Sequence, residues 1–82
     1  MIVRVIHEKD LESNESIVIG VADSVENAEK VIKEYYGDFK EISHEDVGES
    51  NIEWIKVIEV EYPNNEVCKY QIMLEWFELN KA

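Results

Sequence analysis

A single cysteine, Cys68, a single proline, Pro63, and only three glycines stand in this chain of 82 residues. One cysteine excludes an internal disulfide and any Cys-x-x-Cys metal site, and it fits a reducing, cytoplasmic setting. Gly20, Gly37 and Gly48 lie too far apart to form a phosphate-cradling loop. Basic residues are also scarce: eight Lys and Arg stand against nineteen Asp and Glu, a formal charge of −11. With no basic stripe, and aromatic residues that lack cationic company, direct binding of DNA or RNA is disfavoured. No apolar run approaches the roughly 18 to 20 residues that span a bilayer as a helix. Met1 leads into a short apolar run broken by Arg4 and His7, without a charged n-region, an extended h-region or a small-residue cleavage site. The expected location is therefore the cytoplasm, where the Asn14-Glu15-Ser16 sequon carries no meaning.

What remains is a chain that is 45% hydrophobic despite its charge, enough to build a core with the acid on its surface. One domain over residues 1–82 is expected. A domain of this size buries only about 60–65% of the surface its unfolded chain exposes, so a second subunit covering apolar surface is a live option.

The runs Ile2-Val3-Arg4-Val5-Ile6-His7 and Ser16-Ile17-Val18-Ile19-Gly20-Val21-Ala22 are β-branched and short, and both read as strands. The polar stretch between them, with Leu11 as its only large apolar residue, suits an antiparallel connection. Gly20 predicts a bulge or a close approach of the helix. Asp23 and Ser24 offer an N-cap, and Asp23 with Glu26 resembles a capping box. Val25, Ala28, Ile32, Tyr35 and Tyr36 then form one apolar stripe, Glu26 with Lys30 and Glu29 with Lys33 make i,i+4 pairs, and Gly37 ends the helix.

Residues 38–51 are the least readable part, with room for a short strand near 39–43. Beyond them, 52–62 and 66–79 are long β-type runs joined by Pro63-Asn64-Asn65, the chemistry of a three-residue hairpin loop. That loop length sets a register in which Val60 faces Cys68, Ile58 faces Tyr70, Lys56 faces Ile72, Trp54 faces Leu74 and Ile52 faces Trp76. On the other side Glu59 opposes Lys69, Val57 opposes Gln71, Ile55 opposes Met73 and Glu53 opposes Glu75. The expected fold is α+β, of ββαββ order: one helix on a four-stranded antiparallel or mixed sheet with a long C-terminal hairpin.

Candidate chemistry is thin. His44-Glu45-Asp46 lacks the second histidine of a zinc motif, His7 sits at a strand end beside Glu8, and both histidines read as solvated. Cys68 points into the apolar face, where a thiol is a small unreactive hydrophobe. No Ser, His and Asp share a nucleophile context, so neither a catalytic residue nor a cofactor or metal site is assigned. A Glu53–Glu75 pair on an outer face reads as a solvated pair, or as a site for a partner's Lys or Arg.

Two surfaces stand out instead. The outer hairpin residues Ile55, Val57, Met73, Phe77 and Leu79 form an apolar group expected at a subunit or partner interface, unless 38–51 folds across it or a bulge near Trp76-Phe77 changes the phase. The acidic residues Glu41, Glu45, Asp46, Glu49, Glu53, Glu59, Glu61 and Glu75 form the candidate partner-binding set. Carboxylates on a rigid sheet can occupy a basic cleft that would otherwise hold phosphates.

Across Ile19-Gly20-Val21-Ala22-Asp23-Ser24-Val25-Glu26-Asn27-Ala28-Glu29 and the late hairpin, the chain resembles small acidic phage and prophage proteins. These share a strand, an acidic N-cap, an Ala-Glu helix and a terminal hairpin. The resemblance implies a bacterial host cell and, for some compact acidic members, inhibition of host defence enzymes at nucleic-acid sites; it carries over no functional residue. The first functional expectation is thus a non-enzymatic, DNA-mimicking inhibitor that meets a basic surface on a host protein. The alternative is a homo-oligomeric regulatory or small-ligand-binding protein that uses the apolar outer face. An enzyme would require Glu53, Glu75 or His44 to gather in a pocket.

Overall fold

The β-branched runs become strands and the Ala-Glu segment becomes the helix. The computed structural model describes residues 1–79. Its elements are β1 (Ile2–Asp10), β2 (Ser16–Ala22), α1 (Val25–Tyr36), β3 (Lys40–Glu49), β4 (Ile52–Glu61) and β5 (Val67–Glu78). The fold is α+β, but the sheet has five strands in the order β2-β1-β5-β4-β3, and every neighbouring pair is antiparallel. The expected four-stranded ββαββ arrangement is corrected to ββαβββ. The added strand is β3, which occupies most of the segment that periodicity leaves unread. It lies at the sheet edge with almost every residue exposed, so no burial pattern marks it in sequence.

Ser24 is the helix N-cap: its hydroxyl accepts from the Asn27 backbone N–H at 3.1 Å. Asp23 bonds the Asn27 side-chain amide at 2.6 Å, so the capping-box partner expected at Glu26 is replaced by Asn27. Gly37 closes the helix with φ 73°, in the region that glycine alone adopts freely. Glu26 reaches Lys30 at 3.9 Å, whereas Glu29 turns to Lys56 on β4 at 3.8 Å.

Ala28 and Ile32 on the helix meet Ile6, Ala22, Trp54, Ile58, Val60, Tyr70, Ile72 and Leu74 on one face of the sheet, and these ten residues are the buried core. Tyr36 and Val25 pack at its margin, while Tyr35 is exposed. Gly20 serves both of its expected roles. The β1–β2 register shifts beside it, and a Cβ there would lie 2.8 Å from Val31 Cγ1 on the helix.

The hairpin loop behaves as its composition dictates, with Asn65 in the left-handed region at φ 64° and Tyr62 N–H bonded to the Glu66 carbonyl at 2.8 Å. From Glu61 back to Trp54 the pairing follows the expected register. It then slips. A bulge between Ile52 and Trp54 sets Ile52 opposite Glu75, correcting the Ile52–Trp76 and Glu53–Glu75 pairings. Arg4 supplies a reason: its guanidinium holds Glu53 at 3.1 Å and the Asp23 carbonyl at 3.2 Å, on the helix side of the sheet.

Candidate functional site

The eight acidic candidates do not form one surface. Glu53 is held by Arg4, and Glu75 is held on the opposite face by His7 at 2.9 Å. Glu41 pairs with Lys56 at 3.2 Å, and Asp46 accepts a hydrogen bond from the His44 ring at 2.8 Å. Both histidines therefore engage carboxylates rather than water alone. Glu59 lies between Lys69 of β5 and Lys40 of β3 in the ladder. Among the described residues, Glu45, Glu49, Glu59 and Glu61 have no ion-pair partner within 4 Å.

Lys56 is the hub of a cap over the helix-side core. Its ammonium stands 4.5 Å from the centre of the Trp54 ring, between Glu29 and Glu41, and the His44 ring lies beside Trp54, tilted by 39° with ring centres 5.9 Å apart. Beneath it a groove of about 350 Å³ runs between α1 and β4, floored by Ile32, Trp54, Ile58 and Ile72. Its mouth carries Glu29, Lys33, Glu41 and Lys56, so the carboxylates there are already answered by ammonium groups.

A second depression, about 560 Å³ and open to solvent, lies where β3 begins and β4 ends. Asp38, Glu59 and Glu61 supply its carboxylates, Lys40 its one ammonium, and Phe39, Tyr62 and Pro63 its apolar walls. Two of the eight acidic candidates meet here, joined by Asp38, which sequence reasoning passes over. The available signal is the Asp38-Phe39 pair directly after the helix-ending glycine, brought beside a Glu-x-Glu strand end. Carboxylates beside aromatic faces suit one kind of guest, a cationic side chain with an apolar stem.

The tyrosines behind this depression are linked. Tyr62 and Tyr70 share a hydroxyl–hydroxyl hydrogen bond of 2.8 Å, and the Tyr70 ring lies 5.4 Å from that of Tyr36. The bond to Tyr62, followed by burial, pushes the Tyr70 hydroxyl far above its ordinary range. Burial, followed by the neighbouring Glu8 carboxylate, does the same to Tyr36. Glu8 is itself buried, with one carboxylate oxygen making no hydrogen bond.

The interface candidates fall on the sheet face opposite the helix. Met73 stands opposite Ile55, Gln71 opposite Val57, and Phe77 opposite Val3 of β1. None of them joins the core cluster, and 38–51 runs along the edge rather than across them. Leu79 lies past the end of β5, where its N–H bonds the Met1 carbonyl at 2.7 Å. Cys68 is half-buried against the core, on the helix side. Glu53, Glu75 and His44 stand apart, and no three His, Cys, Asp or Glu side chains converge as metal ligands among the described residues. No helix is long and apolar enough to cross a membrane among those residues. No protein-family model matches this chain, and no curated protein or solved structure matches it either.

Proposed function

We propose that this chain is a non-enzymatic protein-binding module that receives a Lys or Arg side chain from a basic partner in the depression lined by Asp38, Glu59 and Glu61. The observation that carries the reading is the convergence of three carboxylates on a site with Phe39 and Tyr62 as walls. An entering guanidinium would exchange water for charge-assisted hydrogen bonds at Glu59 and Glu61 and lay its stem on the aromatic rings. Glu45 and Glu49, unpaired along β3, extend the negative edge and would speed the encounter with a positive surface.

Charge density narrows the DNA-mimic idea. Duplex DNA carries one charge per about 1.7 Å, or about 29 over 50 Å, whereas this 50 Å molecule carries −11. The chain is thus proposed as a ligand for a local basic cleft and not as a replica of a duplex. Together with the phage-type resemblance, the reading extends to a host defence or nucleic-acid-processing protein in the bacterial cytoplasm as the partner.

The test is a titration with a short arginine-containing peptide, followed by amide chemical shifts. Perturbations centred on residues 38–41 and 59–62, lost in Glu59→Gln/Glu61→Gln and weakened by salt, are expected. Shifts spread evenly over all acidic segments would mean charge attraction without a site.

A further inference from the structure

The uncovered sheet face has a composition that an exposed face does not need. Along β5 it presents Phe77, Glu75, Met73, Gln71 and Lys69 in turn. Beside them β1 sets Val3, Val5, His7 and Lys9, and β4 sets Ile52, Ile55, Val57 and Glu59. Val18 and Val21 of β2 extend the apolar surface and are 55% and 59% exposed. At the other edge β3 adds Glu49 beside Ile52, Glu45 beside Ile55, Ser43 beside Val57 and Lys40 beside Glu59. The apolar rows lie in the middle. Glu75, Glu49 and Glu45 lie toward the Phe77 end, and the ammonium groups of Lys9, Lys69 and Lys40 lie toward the other, with Glu59 between the last two.

We infer that a second copy of this chain covers the face, the two sheets stacking about a two-fold axis that crosses the strands between the Met73–Ile55 row and the Gln71–Val57 row. Turning one sheet about that axis lays Met73 on Gln71 and Ile55 on Val57 of the second copy. Glu75 then meets Lys69, and Glu49 meets Lys40, each contact occurring twice as two-fold symmetry requires. The other simple choice, an axis along the strands, lays Lys69 on Lys69 and Glu75 on Glu75, so charge selects the crosswise one. Area agrees. Five strands at about 4.8 Å spacing and about 30 Å of strand length give roughly 700 Å² per copy, close to the roughly 800 Å² per partner of a stable interface.

The covered face and the depression share Glu59 and Lys40 at one corner, but the two interactions respond to salt in opposite directions. Salt weakens capture of a cation, but it strengthens association of two copies that each carry −11.

Sedimentation equilibrium on the full chain at low and moderate salt tests the inference. A dimer that tightens several-fold with salt is expected. Met73→Glu and, at an exposed edge position that the monomer does not depend on, Val18→Lys should each shift the protein to monomer with unchanged circular dichroism. Lys69→Glu should weaken the dimer at least tenfold, and Lys69→Glu/Glu75→Lys should recover most of that loss. A wild-type protein that stays monomeric at millimolar concentration, or a dimer indifferent to Met73→Glu and Val18→Lys, overturns the proposal; failure of the double exchange to recover affinity overturns the crosswise axis.

Discussion

Ile72 has no exposed surface and belongs to the core cluster with Ile32, Ile58 and Leu74. Ile72→Ala should lower unfolding free energy by about 2–5 kcal/mol in urea denaturation, the range for a buried aliphatic truncated to alanine. Tyr36 and Tyr70 make a pH-dependent contribution of definite sign. Folding keeps both hydroxyls protonated above the ordinary tyrosine value of about 10, while the unfolded chain releases those protons. Their contribution is full below that pH and falls as pH rises above it. A tyrosinate absorbance titration should show both residues ionising together with loss of circular dichroism, and not before it. Neither effect can be read from composition. The stripe of Val25, Ala28 and Ile32 marks a core face, but only the folded sheet sets Tyr36 beside Glu8 and Tyr70.

At the level of elements, the contact between Gly20 of β2 and Val31 of α1 fixes how closely the helix approaches the sheet. Gly20→Ala should drive Val31 off its place and cost about 1–3 kcal/mol, as overpacking does. Gly20→Ala/Val31→Ala should recover part of that loss, measured by thermal and urea unfolding of both variants. A glycine inside an apolar strand signals such an approach in sequence; the residue it meets does not appear there. The β4–β5 hairpin was legible over most of its length because turn chemistry and side-chain alternation agree from Glu61 to Trp54. The bulge at Glu53 was not, since it accompanies an ion pair with Arg4, forty-nine residues away. β3 was legible only as room for a short strand near 39–43: it has one paired edge and no buried side chain, so its full length is imposed by β4.

For the whole molecule, a net −11 repels itself in the folded state more than in the expanded one. Raising sodium chloride from about 0.01 M to 0.15 M shortens the Debye length from about 30 Å to about 8 Å. The unfolding temperature should therefore rise by several degrees, since about 1 kcal/mol moves a domain of this size by about 4–8 °C. Measured below the concentration at which copies associate, the rise reports charge alone. The same charge was a poor guide to the binding surface. Of the eight acidic candidates, Glu41, Asp46, Glu53 and Glu75 are answered by Lys56, His44, Arg4 and His7, pairings that join distant parts of the chain or depend on strand geometry.

The sequence by itself determined the acid excess, a helix starting at Asp23-Ser24 and ending at Gly37, the terminal hairpin and the apolar group on its outer side. These follow from local periodicity, turn chemistry and composition, which act over a few residues. Only the tertiary structure decided the fifth strand, the partners of the carboxylates, and the meeting of Asp38, Phe39, Glu59, Glu61 and Tyr62 in one depression. Edge pairing, ion pairs and clefts are relations between residues far apart in the chain, and a pattern along one dimension does not contain them.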